Sequence, residues 1–166
     1  MAKTVVGVFN DVTAAINSLA DLVAEGIPGT DISVVTPDPE TEFARYLNAP
    51  GERPVVADAG IGAVVGGLSG LLVGLGALTI PGVGPVMAAG PLFTALVGAM
   101  VGAEAGGLMG ALNGFGVAEY EAKSHAEKVG EGKTLVVVKV EDSKGDRVQA
   151  LLQRHRAVTV EQRAAS

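Results

Sequence analysis

The sequence predicts an α+β fold in which a ferredoxin-like βαββαβ sheet domain carries an inserted glycine-zipper α-helical hairpin. Three observations support this fold class. Strand-like and helix-like spacings of apolar residues alternate near both ends of the chain. No charged side chain occurs between Asp58 and Glu104, and glycine recurs every fourth residue in two parts of the central region. We therefore assign residues 1–57 and 117–166 to the sheet domain, and residues 58–116 to the apolar hairpin.

The first third of the chain has the pattern of a strand, a helix and a second strand. Residues 5–9 are mostly β-branched, and Asn10-Asp11 then caps a segment with apolar residues at helical spacing. Gly26 and Pro28-Gly29 end that helix, and residues 31–35 alternate as a half-buried strand does. A first βαβ unit follows from this order.

The last third repeats the same plan. Residues 133–140 predict a strand, residues 143–156 a helix and residues 158–160 a final strand, while residues 117–129 have helical character. The segment beginning at Lys3 (KTVV) also resembles the segment beginning at Lys133 (KTLV). Two related halves that form one four-stranded sheet are the simplest interpretation.

The pattern of residues 5–9, the polar cap, the Ala-rich helix, Gly26 and residues 31–35 resembles the general stress protein 17M-like, or heat-induced stress protein, domain. The resemblance is clearest over about the first 36 residues, and family members carry a Gly-rich hydrophobic insertion like the one here. The resemblance implies the fold and a stress-associated setting. It implies no catalytic residues.

The glycines of the central region form two stripes, one on each predicted arm of the hairpin. Because glycine weakens a helix by about 1 kcal/mol relative to alanine, such stripes indicate close backbone approach between helices. If the two arms fold back on each other, pairing residues whose numbers add up to about 176 brings the two stripes into contact. The same pairing places the turn near Ala88. The predicted packing residues are Gly62, Gly66, Gly70 and Gly74 on the first arm, and Gly98, Gly102, Gly106, Gly110 and Gly114 on the second.

Bulky residues on the outer surfaces of the arms are predicted to face lipid or other subunits, because a small domain does not enclose two such arms. They are Leu68, Leu71, Leu72, Leu75, Val97, Val101 and Leu108. Glu104 lies two residues from the Gly102 stripe and so points away from the seam. A carboxylate near the middle of a bilayer costs about 2.5–3.5 kcal/mol, so Glu104 is expected to be protonated, paired or at a subunit interface.

Composition and motifs exclude several functions. A net charge of −6 argues against nucleic-acid binding, and the lack of Cys removes thiol chemistry. His125 and His155 are expected at exposed helix positions, without metal-ligand spacing. Gly132-Lys133-Thr134 lacks the first glycine of a phosphate loop. No cofactor, metal or catalytic residue is predicted, and we expect a protein that is not an enzyme.

Two environments for the hairpin remain open. In the first, the hairpin of a non-enzymatic, stress-associated protein inserts into a membrane and self-associates, with the sheet domain in the cytoplasm. In the second, the protein is a soluble cytoplasmic homo-oligomer whose hairpins form a shared apolar core or a chamber for a lipid or quinone-like molecule. In both, the first expected partner is another copy of the chain.

Overall fold

The computed structural model describes residues 2–37, 76–80, 84–101 and 107–164. These residues form an α+β structure with an antiparallel sheet. The strands are β1 (Ala2–Phe9), β2 (Ile32–Thr36), β3 (Gly76–Ile80), β4 (Gly84–Ala89), β5 (Thr134–Glu141) and β6 (Thr159–Ala164). The helices are α1 (Val12–Ala24), α2 (Pro91–Val101), α3 (Gly107–Gly114), α4 (Glu119–Gly130) and α5 (Gly145–Arg154).

The six strands have the order β3-β4-β2-β5-β1-β6, and every neighbouring pair is antiparallel. At the centre, β1 pairs with β5 along its whole length, from Ala2 opposite Glu141 to Phe9 opposite Thr134. These are the two strands whose sequences resemble each other. The inner order β2-β5-β1-β6, with α1 and α5 as the connecting helices, is consistent with a ferredoxin-like arrangement.

One face of the sheet is covered by α1 and α5. Successive residues of a strand point to opposite faces, and Val5 and Phe9 of β1 point to this one. The two helices supply the remaining apolar surface of this first core, including Ile16, Leu19 and Leu152. An ion pair of Asp21 with Arg154 and a hydrogen-bond contact of Asp21 with His155 further join α1 to the end of α5.

The other face is covered by α2, α3 and α4. Val6 and Val8 of β1 contribute to this second core, and so do Val35, Val86, Ala88, Leu135 and Val137 from the neighbouring strands. The helices bury Leu92, Leu96, Leu108, Ala111, Leu112, Ala122 and Val129 against them, and Val117, between α3 and α4, is buried in the same core. The sheet is thus the middle layer between two layers of helix.

The predicted helical turn near Ala88 is wrong. Residues 76–80 and 84–89 form the paired antiparallel strands β3 and β4, and Ala88 lies in β4 opposite Val35 of β2. The physical reason is that β4 supplies hydrogen-bond partners along the edge of β2, which would otherwise end the sheet. Val86 and Ala88 also extend the apolar surface of the second core.

The connection from β4 to α2 is tightly packed on β2. Gly90 has a φ of +85°, and a Cβ atom there would overlap the carbonyl oxygen of Ile32 and lie 2.9 Å from the Cα of Ser33. The buried Ser33 hydroxyl also accepts a hydrogen bond of 3.0 Å from the backbone N–H of Leu92. This bond satisfies one of the N–H groups that the first turn of a helix leaves free.

Gly90→Ala is expected to lower the free energy of unfolding by about 3 kcal/mol, because it combines a left-handed backbone with a clash against β2. Gly26→Ala is the matched control, since Gly26 has a φ of +88° and no heavy atom lies within 4 Å of the position that a Cβ atom would take there. Its expected loss is about 1 kcal/mol. Urea unfolding measures both values, and equal losses would contradict the packing described at Gly90.

Candidate functional site

The predicted glycine zipper lies mostly outside the described residues. This is true of Gly62, Gly66, Gly70, Gly74, Gly102, Gly106 and Glu104. Of the second stripe, Gly98 lies in α2, and Gly110 and Gly114 lie in α3. Since all four glycines of the first arm are outside the described part, the pairing of the two stripes stays a prediction.

The predicted outward-facing set divides in three. Leu68, Leu71, Leu72 and Leu75 lie outside the described residues, and Val101 is the last residue of α2. Val97 has 38% of its surface exposed. Leu108, in contrast, is only 1% exposed, so its assignment to an outer, partner-facing surface is wrong.

Leu108 is buried because the sheet itself provides an apolar surface for the second arm. Leu108 and Leu112 are four residues apart in α3 and therefore lie on one helix face, which packs into the second core. Leu92 and Leu96 repeat this spacing in α2. The sequence showed that these leucines need an apolar neighbour, and the fold supplies it within the same molecule.

The strand β3 forms one edge of the sheet. It pairs with β4, and no described strand lies along its other side. Proteins often protect edge strands from pairing with another chain by placing charged residues or proline in them. Residues 76–80 contain neither. The opposite edge strand, β6, contains Glu161 and Arg163. The β3 edge is therefore the more suitable of the two for strand pairing.

A polar cluster lies between α4 and β6, on the face of the second core. His125 is completely buried, and its Nε2 atom lies 2.9 Å from Oε2 of Glu161. Lys128, one helical turn further along α4, donates a 3.2 Å hydrogen bond to the hydroxyl of Thr159. Glu121 is also buried and accepts a 3.1 Å hydrogen bond from the Tyr120 hydroxyl. The contacts of His125 and Lys128 join α4 to the edge strand β6, whereas the contact of Glu121 lies within α4.

The two ring nitrogens of His125 differ. Nε2 is bonded to Glu161, whereas Nδ1 is buried and has no hydrogen-bond partner among the described residues. Burial lowers the pKa of His125 below its usual value of 6.5, and the nearby Lys128 acts in the same direction. The carboxylates of Glu161 and Glu121 act against this lowering. The neutral imidazole, with Nε2–H donating to Glu161, is the form that suits this site.

The prediction that both histidines are exposed is wrong. His125 lies between Ala122 and Val129 on the buried stripe of α4, and this three-to-four-residue spacing was the signal that sequence reasoning missed. His155 is half-buried, and its Nε2 atom is in hydrogen-bond contact with the carboxylate of Asp21 of α1. The chain has two histidines, and each contacts a carboxylate in the structure.

No cluster of three or more potential metal ligands occurs in the part of the chain that the structure describes. A surface cavity of about 40 Å³ lies between α1 and α5, over Ile27, Val148 and Leu151. Its rim includes the ion pair of Arg147 with Glu25, with an N–O distance of 2.9 Å. A cavity of this size has room for about one water molecule.

Leu108→Ala should lower the free energy of unfolding by about 2–5 kcal/mol, because it leaves a void in the second core. Val97→Ala, at an exposed position of the same predicted set, should change it by less than about 0.5 kcal/mol. Thermal and urea unfolding of the purified variants measure the difference. A small effect of Leu108→Ala would mean that this side chain is not part of the core.

None of the helices in the described ranges is both long and apolar enough to cross a membrane. Residues 61–164 match the model of a protein family described as "Protein of unknown function (DUF1269)". This match covers more than half of the chain, but not the first 36 residues that carry the resemblance to stress proteins. Neither a curated protein nor a solved structure matches the chain.

Proposed function

The chain belongs to the DUF1269 family, whose description assigns no function, and from this premise we propose that it is a non-enzymatic, self-associating protein. Its contact region comprises the β3 edge of the sheet and the part of the uncharged sequence between Asp58 and Glu104 that precedes β3. The observation that carries the proposal is the complete lack of charge in this stretch, in a chain that otherwise carries 18 acidic and 12 basic residues.

Two structural features support self-association. The large residues of α2 and α3 that face the sheet are buried within the molecule, which leaves the β3 edge and the stretch before it for contact with another molecule. The uncharged stretch that precedes β3 then leads directly into an edge strand with no described partner on its outer side. A second copy of the chain fits both features, because two uncharged edges can pair without like-charge repulsion.

Membrane association is the second candidate. Residues 60–79 are long enough to cross a bilayer as a helix, at about 1.5 Å per residue, and they contain no charge. Residues 76–80 of this range form β3, however, so the described fold leaves fewer residues for such a span. Residues 59–75 are the part of the stretch on which this candidate rests.

Three finer assignments belong to the same proposal. We infer that β1, α1, β2, β5, α5 and β6 form a ferredoxin-like unit, which the inner strand order supports. The stress-associated setting is supported by the resemblance of the first 36 residues. If the glycine-lined arms pack together across subunits, self-association produces a cytoplasmic oligomer. Such an oligomer has a chamber between its subunits for a lipid or quinone-like molecule.

Detergent-free fractionation of the full chain separates the two candidates. Self-association predicts a clear, soluble assembly whose mass by light scattering is a multiple of the 16.6 kDa monomer. Membrane association predicts sedimentation with membranes after a carbonate wash and extraction only by detergent. A soluble monomer at all concentrations would contradict both.

Gly70→Leu or Gly106→Leu is expected to disrupt assembly more than Leu71→Ala does, because only a large side chain on the glycine stripe blocks close backbone approach. Light scattering at equal protein concentrations measures the assembled fraction. Circular dichroism of each variant serves as the control for folding. If all three variants assemble to the same extent, the stripes do not form the contact.

A further inference from the structure

His125 connects the outermost strand of the sheet to the second helical layer. Its ring lies in the buried stripe of α4, and its described bond to the sheet is the one to Glu161 of β6. Two more hydrogen bonds connect this region to the sheet. Lys128 donates one to the hydroxyl of Thr159, and Thr4 of β1 donates one of 2.7 Å to the carbonyl oxygen of Phe115, which precedes α4. A titratable group thus contributes to a small set of bonds that hold α4 against this edge of the sheet.

The charged groups around His125 can be named from each neighbouring element. From β6 it faces Glu161, and from α4 itself it is near Glu121 and Lys128. On β1, the residue opposite Glu161 is the uncharged Val6. Lys3 of β1 forms an ion pair with Asp142, away from this cluster. Glu161 is therefore the one described carboxylate with a direct bond to the ring.

Protonation of the ring would turn Nδ1 from a hydrogen-bond acceptor into a donor. In the neutral ring with Nε2–H, Nδ1 is an acceptor without a partner. The free-energy cost of this unpaired acceptor is smaller than the cost of an unpaired N–H donor on a buried, charged ring. The imidazolium carries N–H on both nitrogens, and no described acceptor lies at Nδ1. The protonated ring gains attraction to Glu161 but must either bury an unpaired N–H or turn toward water.

We infer that the His125–Glu161 pair is an acid-sensitive latch that holds α4, and with it the second helical layer, on the β6 edge of the sheet. Since α4 shares the second core with α3, loosening of α4 exposes apolar residues such as Leu112 and Val117. The latch does not depend on self-association, so it stands or fails independently of the proposed function.

The sign of the pH effect follows from proton linkage. Because the pKa of His125 in the folded state is below its unfolded value of 6.5, the folded state binds fewer protons than the unfolded state as the pH falls through that value. The contribution of the neutral His125 to the free energy of unfolding is therefore complete above pH 6.5. It decreases as the pH falls below 6.5, until the lowered folded-state pKa is reached. Within that window, the open form gains up to about tenfold for each pH unit.

Hydrogen exchange of the full chain at pH 7.5 and 5.5, corrected for the intrinsic exchange rate, tests the latch. The wild type should lose protection in α4 and β6 at pH 5.5, by up to about tenfold for each pH unit below 6.5. His125→Gln keeps an N–H donor for Glu161 and should show no such loss. His155→Gln, which changes the other histidine, should behave like the wild type. Equal acid responses of the wild type and His125→Gln would overturn the proposal.

Glu161→Gln keeps an oxygen acceptor for Nε2–H but removes the negative charge, so it provides a second test if His125→Gln does not fold. It should lower the pKa of His125 further and extend the loss of protection to lower pH. NMR titration of the two histidines measures the pKa directly, with His155→Gln used for assignment. A His125 pKa above 6.5 in the wild type, or one unchanged in Glu161→Gln, would also overturn the latch.

Discussion

Burial of both faces of the sheet is the constraint on which the rest of the structure depends. The two central strands, β1 and β5, carry Val, Leu and Phe residues on both faces, so neither face is suited to water. The first face is covered by the two helices of the repeated βαβ plan. The second face needs its own layer, and α2, α3 and α4 supply it. Most of the described central region is therefore part of the domain.

This constraint changes the meaning of the apolar central region. Leu108, which was expected to face lipid or another subunit, is part of the second core together with the other leucines of α2 and α3 that face the sheet. The strands β3 and β4 extend the sheet beyond β2 and place an uncharged strand at its edge. What remains for contact with a partner is the glycine-rich stretch before β3 and this edge. The region thus serves the fold with one part, and we propose that it serves assembly with the other.

The second helical layer also explains why a histidine is buried. Helix α4 lies against the edge strand β6, and the β6 residues that form hydrogen bonds with it, Thr159 and Glu161, are polar. A polar pair fits this position, because Glu161 on the edge strand is partly open to solvent while His125 is not. Titration of one buried ring at the boundary of a core is then connected to the packing of a whole helix.

The sequence by itself determined the elements whose residues make local patterns. Both βαβ units were predicted from apolar periodicity, turn residues and caps, and their strands and helices lie within a few residues of the predicted limits. Only the tertiary structure decided the pairing of β3 with β4, the burial of Leu108 and the His125–Glu161 pair. The physical reason is that a run apolar on all sides has no periodicity to separate strand from helix. Its conformation and neighbours depend on which unpaired strand edge and which uncovered sheet face it meets, and these come from residues far away in the chain.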